Sequence, residues 1–360
     1  MEILVKTALG LEEVCASRIL ELDPSAEVIA KPGGYAGLVC VKSCREPEAL
    51  ASAISSEVLE AEHVYRVLET ARATIGDIAE KALRAVGGLI SSGETFAVRT
   101  VRRGRHGFTS LDVNVAVGAA IQKELGAPVD LDEPDKVVRI EIVGDEAYVS
   151  VYDGALEWSK MGPGKTEAHP FFRRISVVQM PYLGPPKSCR EIGSRIGRAA
   201  QSFEVGELVI APSEPVEAGA LAEFIQGVLE GRESRLKVQA RTYARKPNPV
   251  EVLVQDLYQL VRARRGEPLV VFEPEGVELH RSAEMLLELY RSARRINFLF
   301  GSREGIPKGV YRAADLVIDL APAITLPTEL AAPTALLAVY TALKMISRGE
   351  PLHEGDPGEA

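Results

Sequence analysis

Between Phe96 and Ser110 the chain carries Arg99, Arg102, Arg103 and Arg105, with His106, and no carboxylate. Gly104 and Gly107 let the backbone turn sharply among those charges. Thr109 and Asp112 have capping-box spacing, so a helix is expected to open directly after the turn. Its first turn adds free N–H groups and partial positive charge, and guanidiniums converging there form an anion site. A ribbon of phosphates is the natural ligand. The competing reading is a solvated basic loop balanced by acids such as Glu94 and Asp112.

A second constellation runs Ile296-Asn297-Phe298-Leu299-Phe300-Gly301 and continues Ser302-Arg303-Glu304-Gly305. A buried strand ending in a Gly-rich turn is how an α/β sheet presents backbone to a cofactor at strand carboxyl ends. Asp315–Leu320 reads as another strand, and Thr325–Leu330 leads into an Ala-rich helix. Other motifs fall away. Gly164-Lys165-Thr166 ends like a phosphate-binding loop, but Ser159 occupies the place of its first glycine. Cys40 and Cys44 have no second Cys or His pair at metal-ligand spacing and read as core thiols, so no metal is expected. The five histidines form no cluster.

These residues need elements to hold them. Residues 1–58 read as a small α+β unit, with strands at 2–7 and 35–42 and helices at 11–22 and 46–60. Residues 59–155 add a strand at 64–70, a helix at 75–87, a strand at 95–101 and the helix that Gly126 ends. A hairpin at 137–143 and 147–152 turns on Gly144-Asp145. Residues 156–172 read as a linker, with Trp158 expected to pack between domains. From 173 to 348 strands alternate with helices, the pattern of a mostly parallel α/β sheet. Expected strands lie at 175–180, 207–211, 236–241, 269–273, 296–300 and 315–320. Expected helices lie at 189–202, 217–230, 250–264, 281–293 and 331–347. Residues 349–360 read as an acidic, solvated tail.

The chain has 360 residues, 46 % hydrophobic and 26 % charged, which excludes disordered and fibrous classes. Its net charge of −9 is uneven. Residues 1–155 hold 16 Lys+Arg against 25 Asp+Glu, the tail holds four acids and no base, and residues 156–348 are left at +4. Overall acidity therefore does not exclude RNA, because a phosphate responds to a local basic stripe. Four scattered cysteines, no signal-like start and no run of ~20 uninterrupted apolar residues predict a cytoplasmic protein. Only three Asn and seven Gln beside many Glu and Arg hint at a thermophile.

The run FAVRTVRRGRHGFTSLDVNVAVGAAI (96–121), followed by VDLDEPDKVVRIEI (129–142), closely resembles a THUMP domain. That resemblance implies an RNA-binding module that holds the 3′ end of tRNA, preceded by a ferredoxin-like partner. Residues 296–346 resemble the knotted cofactor half of SPOUT methyltransferases. It implies S-adenosylmethionine held by Phe300, Gly301, Ser302, Gly305, Ile318, Leu320, Ala323, Thr325 and Thr328. Gly193–Phe203 is similar to the first motif of SPOUT ribose methyltransferases, with Arg198 five residues before Phe203. Arg195, one turn earlier, and Glu329 join Arg198 as candidate catalytic residues.

The whole resembles an archaeal-type THUMP–SPOUT tRNA methyltransferase, implying 2′-O-methylation of a cytidine in the lower acceptor stem. The family asparagine before the arginine is absent, with Glu191 and Ile192 in that region. Thr328-Glu329 stands where Ser-Leu-Asn is common. The alternatives are an RNA-binding or assembly protein with a degenerate SPOUT half, or a base methyltransferase on tRNA or rRNA. The helix at 331–347 is apolar nearly all round, and such a helix must be buried on most faces. A homodimer through the SPOUT half is expected to cover it.

Overall fold

The computed structural model describes residues 1–158, 160–162, 165–347 and 352, which form two compact units, Met1–Lys165 and Thr166–Ala360. In the first unit, β1 (Ile3–Thr7), α1 (Glu12–Leu22), β2 (Glu27–Ala30), β3 (Leu38–Ser43), α2 (Pro47–Glu57) and β4 (Ala61–Arg66) build a sheet of order β2-β3-β1-β4. Next come β5 (Glu69–Arg72), α3 (Ile75–Val86), β6 (Phe96–Arg103), α4 (Ser110–Leu125), β7 (Lys136–Val143) and β8 (Glu146–Asp153). They give a second sheet of order β5-β8-β7-β6. The run read as one strand at 64–70 is split: β4 pairs with β1, β5 pairs with β8, and Val67-Leu68 carries the chain from one sheet to the other. β2 has no counterpart among the elements expected from sequence.

Local signals hold where they are chemical. Thr109 Oγ1 accepts the Asp112 N–H, and the Asp112 carboxylate accepts the Thr109 N–H in return. Gly126 takes the left-handed conformation that ends α4. Gly144-Asp145 is the two-residue turn between β7 and β8. Phe96 and Val98 point into a core with α3 and α4. The opposite face of the same sheet meets the first sheet through Leu4, Leu38, Cys40, Tyr65, Val143 and Tyr148.

The first helix of the second unit is α5 (His169–Arg173), whose first four residues lie in the stretch expected to be linker. Its Phe171 and Phe172 belong to the core, where Phe171 stacks on Tyr290 at 4.5 Å. Then follow β9 (Ile175–Gln179), α6 (Pro186–Phe203), β10 (Glu207–Ile210), α7 (Ala218–Thr242), β11 (Glu251–Val254) and α8 (Leu257–Ala263). The chain closes with β12 (Leu269–Glu278), α9 (Leu279–Ser292), β13 (Ile296–Phe300), α10 (Lys308–Tyr311), β14 (Leu316–Asp319) and α11 (Thr328–Ile346). All six strands are parallel in the order β11-β10-β9-β13-β12-β14. β9 and β13 are buried throughout, as strands covered on both faces must be.

Three expectations need correction here. The strand at 236–241 does not exist, because α7 runs on to Thr242. Alternation of apolar and polar residues there misleads. What faces inward is Gln239, which exchanges hydrogen bonds of 3.0 Å with Gln201, while Val238 is exposed. The helix at 250–264 is instead β11 at the sheet edge followed by α8, which Asp256 caps by accepting the Gln259 N–H. Trp158 is 97 % exposed, so it is not buried as expected among the described residues.

α11 is long and apolar enough to cross a membrane by length and composition alone, with a mean hydropathy of 1.3. Ala332, Ala335, Leu336, Val339 and Leu343 instead fill the core, and Tyr340 packs edge-on to Phe171. Leu337 stays 57 % exposed. The expected acidic tail lies outside the described residues apart from Leu352, as do Ser159 and Gly164 of the rejected phosphate loop.

Candidate active site

Parallel strands bring the loops after β9, β13 and β14 to one end of the sheet. The order in the sheet makes this end a topological switch point: the chain leaves β9 toward β11, then returns to build β12, β13 and β14 on the other side. Phe300 and Ile318 are fully buried, Phe300 stacking on Phe272 at 5.1 Å, so these two support the loops from below. Gly301, Ser302, Gly305, Leu320 and Thr328 are partly exposed, and Ala323 and Thr325 are exposed. Gly305 has φ +70°, and Ala323 holds φ +65°, a left-handed conformation costly for a residue with a Cβ.

Glu273, which no sequence motif marked, organises this end. Its carboxylate accepts the Ile306 N–H at 2.6 Å and lies directly under Gly301 and Gly305. A Cβ on Gly301 would overlap that carboxylate, and one on Gly305 would come within 3.1 Å of it. Burial pushes the Glu273 carboxyl above the usual range, against the Ile306 N–H, which lowers it. Beside it, Gln179 Nε2 donates to Gly301 O at 2.9 Å and to Met180 O at 3.1 Å. Gln179 Oε1 is buried with no partner among the described residues. It is an acceptor at the edge of a backbone cradle, and the donor-rich adenine and ammonium groups of a nucleoside cofactor match it. Arg303 caps the neighbouring loop by lying 4.8 Å over the Tyr182 ring.

The candidate catalytic side chains separate into a pair and a single. Arg195 on α6 forms a 2.8 Å ion pair with Glu329 in the first turn of α11, one residue beyond Thr328. Arg198 lies one turn on and touches Ser234 Oγ on α7 at 3.3 Å. The glycines in this motif do something the sequence did not reveal. A Cβ at Gly193 or Gly197 would overlap backbone of α7, and one at Gly227 or Gly231 would overlap backbone of α6. Two small-xxx-small faces thus let the helix backbones touch, the geometry in which Cα–H groups meet carbonyls. That packing fixes the height at which Arg195 and Arg198 stand.

In the first unit the arginine-rich turn is partly committed to internal partners. Arg103 pairs with Glu141, as does Arg139, whose Nε donates to it at 2.9 Å. The three side chains are nearly buried, so much of the Arg103 charge expected to meet a phosphate is already met by Glu141. Arg99 donates to Leu131 O and lies 3.9 Å from Glu157. Arg102 donates to His106 O at 3.3 Å and lies 5.8 Å from the Phe108 ring centroid. His106 bonds Gly144 O through Nε2 at 2.7 Å, and its Nδ1 has no partner among the described residues. Only Arg105 of the five is exposed, the others being partly covered. Gly104 is required at φ +121°, where a Cβ would come within 3.1 Å of the Tyr35 hydroxyl.

Among the described residues no group of three or more His, Cys, Asp or Glu could hold a metal ion. Cys40 is buried. Cys44 donates to Glu2, and burial together with that carboxylate pushes its thiol up to about 12, which leaves it unreactive.

The THUMP family model matches residues 72–152. The model described as AF2226-like SPOUT RNA methylase fused to THUMP matches residues 169–355. An uncharacterized protein of Methanocaldococcus jannaschii is 41 % identical over 348 residues, covering 94 % of this chain and 93 % of that one. A tRNA (guanine(6)-N2)-methyltransferase of the same organism is 38 % identical, but over 17 % of this chain and 18 % of its own. A crystal structure of PH1313 from Pyrococcus horikoshii aligns over 97 % of this chain and 100 % of that one, with 15 % identity and a TM-score of 0.37, too low to carry an argument. A family model spanning more than half the chain, and a relative alike along nearly all of it, place this protein in the SPOUT RNA methylases fused to THUMP, whose activity is methyl transfer to RNA.

Proposed function

We propose that the chain transfers a methyl group from S-adenosylmethionine to tRNA, at the ribose 2′-oxygen of a cytidine in the lower acceptor stem. The observation that carries this reading is the Gly301–Gly305 cradle over Glu273, at the carboxyl ends of a parallel sheet fused to a THUMP module. Bound S-adenosylmethionine supplies an electrophilic methyl on a positive sulfonium. The protein's part is to hold it: backbone of Gly301–Gly305 and of Leu320–Thr328 forms the walls, and Gln179 Oε1 offers the buried acceptor. The Glu273 carboxylate favours a cation nearby.

A ribose hydroxyl must lose a proton as it attacks. An arginine cannot accept it without a prohibitive deprotonation, its pKa lying above ~12. Arg198 therefore positions a phosphate of the target nucleotide, and Glu329, steadied by Arg195, is the carboxylate placed to take the proton. The division of labour follows residues 1–58 as ferredoxin-like, 59–155 as THUMP holding the tRNA 3′ end, and 173–348 as SPOUT. The exposed stripe Leu330, Leu337 and Met345 on α11 is the surface through which two copies pair. Such a reaction on tRNA belongs in the cytoplasm. The missing family asparagine favours a second reading, RNA binding with a degenerate catalytic half.

Radiolabelled S-adenosylmethionine with tRNA from a deletion strain separates them, the product nucleoside being identified by mass spectrometry. Transfer to a ribose is expected; methylation confined to a base refutes the acceptor, and cofactor binding without any transfer supports the second reading. Glu329→Gln should lower kcat by ~10²–10⁴-fold with the cofactor Kd unchanged. Gly301→Val should abolish cofactor binding in a calorimetric titration while the melting transition persists. Light scattering at twice the chain mass of 38.9 kDa is expected for the dimer.

A further inference from the structure

The amino ends of β12, β13 and β14 lie at the opposite end of the sheet from the cofactor loops. There the fold leaves a groove of about 1010 Å³ bordered by Arg265, Arg294, Arg295 and Arg312. Glu267 and Arg295 in its lining join a buried polar network. Arg264 donates to Ser176 Oγ at 2.7 Å and to Asn297 Oδ1 at 2.6 Å, and pairs with Glu207 at 2.6 Å. Arg295 donates through Nε to Glu267 at 2.8 Å and reaches Glu207 at 3.4 Å. Asp315 accepts the Leu269 N–H at 2.8 Å. Glu267 is thereby paired, whereas Asp315 is exposed and forms no ion pair among the described residues. Arg265, Arg294 and Arg312 are exposed and have no acidic partner among the described residues.

Helix ends offer a simpler reason for three cations here. Each of the three follows the C-terminus of a helix, α8, α9 or α10, where positive charge is favourable. The magnitudes show that this is not enough. A helix end carries about half a negative charge, so three ends offset only about half of three guanidiniums. The remaining lining is aliphatic, small or proline, with no aromatic ring for a base to stack on. A planar guanidinium fork, by contrast, fits phosphate oxygens two at a time.

We propose that this groove is a second RNA contact, in which Arg265, Arg294 and Arg312 grip phosphodiester oxygens of the substrate without reading its bases. The inference rests on the proposed action on RNA and adds a surface to it. Along β13 and β14, of five and four residues, a rise of about 3.3 Å per residue puts roughly 15 Å of sheet between the groove and the loops after them. The phosphates gripped there therefore belong to nucleotides other than the one methylated. The groove governs affinity and leaves the chemical step alone.

The test compares the full-length protein with R265A/R294A/R312A, each titrated with a fluorescently labelled tRNA transcript over a range of KCl concentrations. The slope of log K against log salt should flatten by ~0.7–0.9 for each phosphate no longer gripped, or ~2–3 in all. Binding should weaken at least ~10-fold, KM for RNA should rise with kcat at saturation unchanged, and cofactor affinity should stay the same. A lower melting temperature with an unchanged slope would mean a helix-end role alone and overturns the proposal. Loss of inorganic phosphate binding with RNA binding intact overturns it too. If the unmutated protein fails to bind the transcript at all, the functional reading fails first and takes the groove with it.

Discussion

The two arginine-rich regions of this protein invert what their sequences suggest. The turn from Arg99 to His106 is dense in charge along the chain, yet Glu141 and Glu157 arrive from distant elements and occupy Arg103 and Arg99. The groove at the amino ends of β12–β14 draws its arginines from three separated loops, and there Arg265, Arg294 and Arg312 have no acidic partner among the described residues. Linear density therefore measures little. What matters for a phosphate is which guanidiniums the fold leaves without an internal acid.

The contrast is most exposed to refutation at Glu141. Glu141→Ala strands Arg103 and Arg139 between the sheets without a counter-charge, and disrupting a buried pair in this way costs ~3–5 kcal/mol. Chemical denaturation measures it. Unaltered stability would mean that Arg103 is as free as its neighbours and that the contrast is false.

A second, smaller effect separates arginines within the turn. Arg103→Ala should destabilise by ~1–3 kcal/mol, because the Glu141 carboxylate loses a partner, and should leave the RNA salt slope unchanged. Arg102→Ala with Arg105→Ala should do the reverse, flattening the slope by ~1.4–1.8 with stability within ~0.5 kcal/mol. Swapped outcomes would reassign the phosphate contacts. A single change in the groove, Arg312→Ala, probes the other region: a slope change of ~0.7–0.9 and only a modest weakening of affinity are expected.

A pH-dependent effect belongs to a carboxylate spent on backbone. Glu12 accepts the Gly37 N–H at 2.6 Å, with a further bond from Gly10 N–H, and these hold its carboxyl well below the usual range, at about 2. A folded pKa below the unfolded one contributes stability that is present above the unfolded value of ~4.3 and is lost as pH falls toward about 2. Melting curves of the unmutated protein and Glu12→Gln should therefore differ at neutral pH and converge near the acid end. Parallel curves across the whole range would remove the role.

Whatever depends on a few adjacent residues was legible in the chain alone. The capping box at Thr109 and Asp112, the Gly126 stop, the Gly144-Asp145 turn and the buried run Ile296–Phe300 are local chemistry, and the THUMP and SPOUT resemblances rest on such runs. Helix and strand are confused where the deciding interaction is distant. Leu236–Arg241 alternates like a strand, but Gln239 meets Gln201 and the glycines of α6 and α7 let two backbones touch, so a helix results. The Val250–Arg264 stretch hides an edge strand and an Asp256 cap for the same reason. At the site, the glycine loop is legible and Glu273 beneath it is not, because it sits 28 positions before Gly301 and only the pairing of β12 with β13 brings it under the cradle. Which arginines are free is likewise left to tertiary structure. A charge is neutralised by the acid nearest in space, and strand pairing and helix packing alone decide which acid that is.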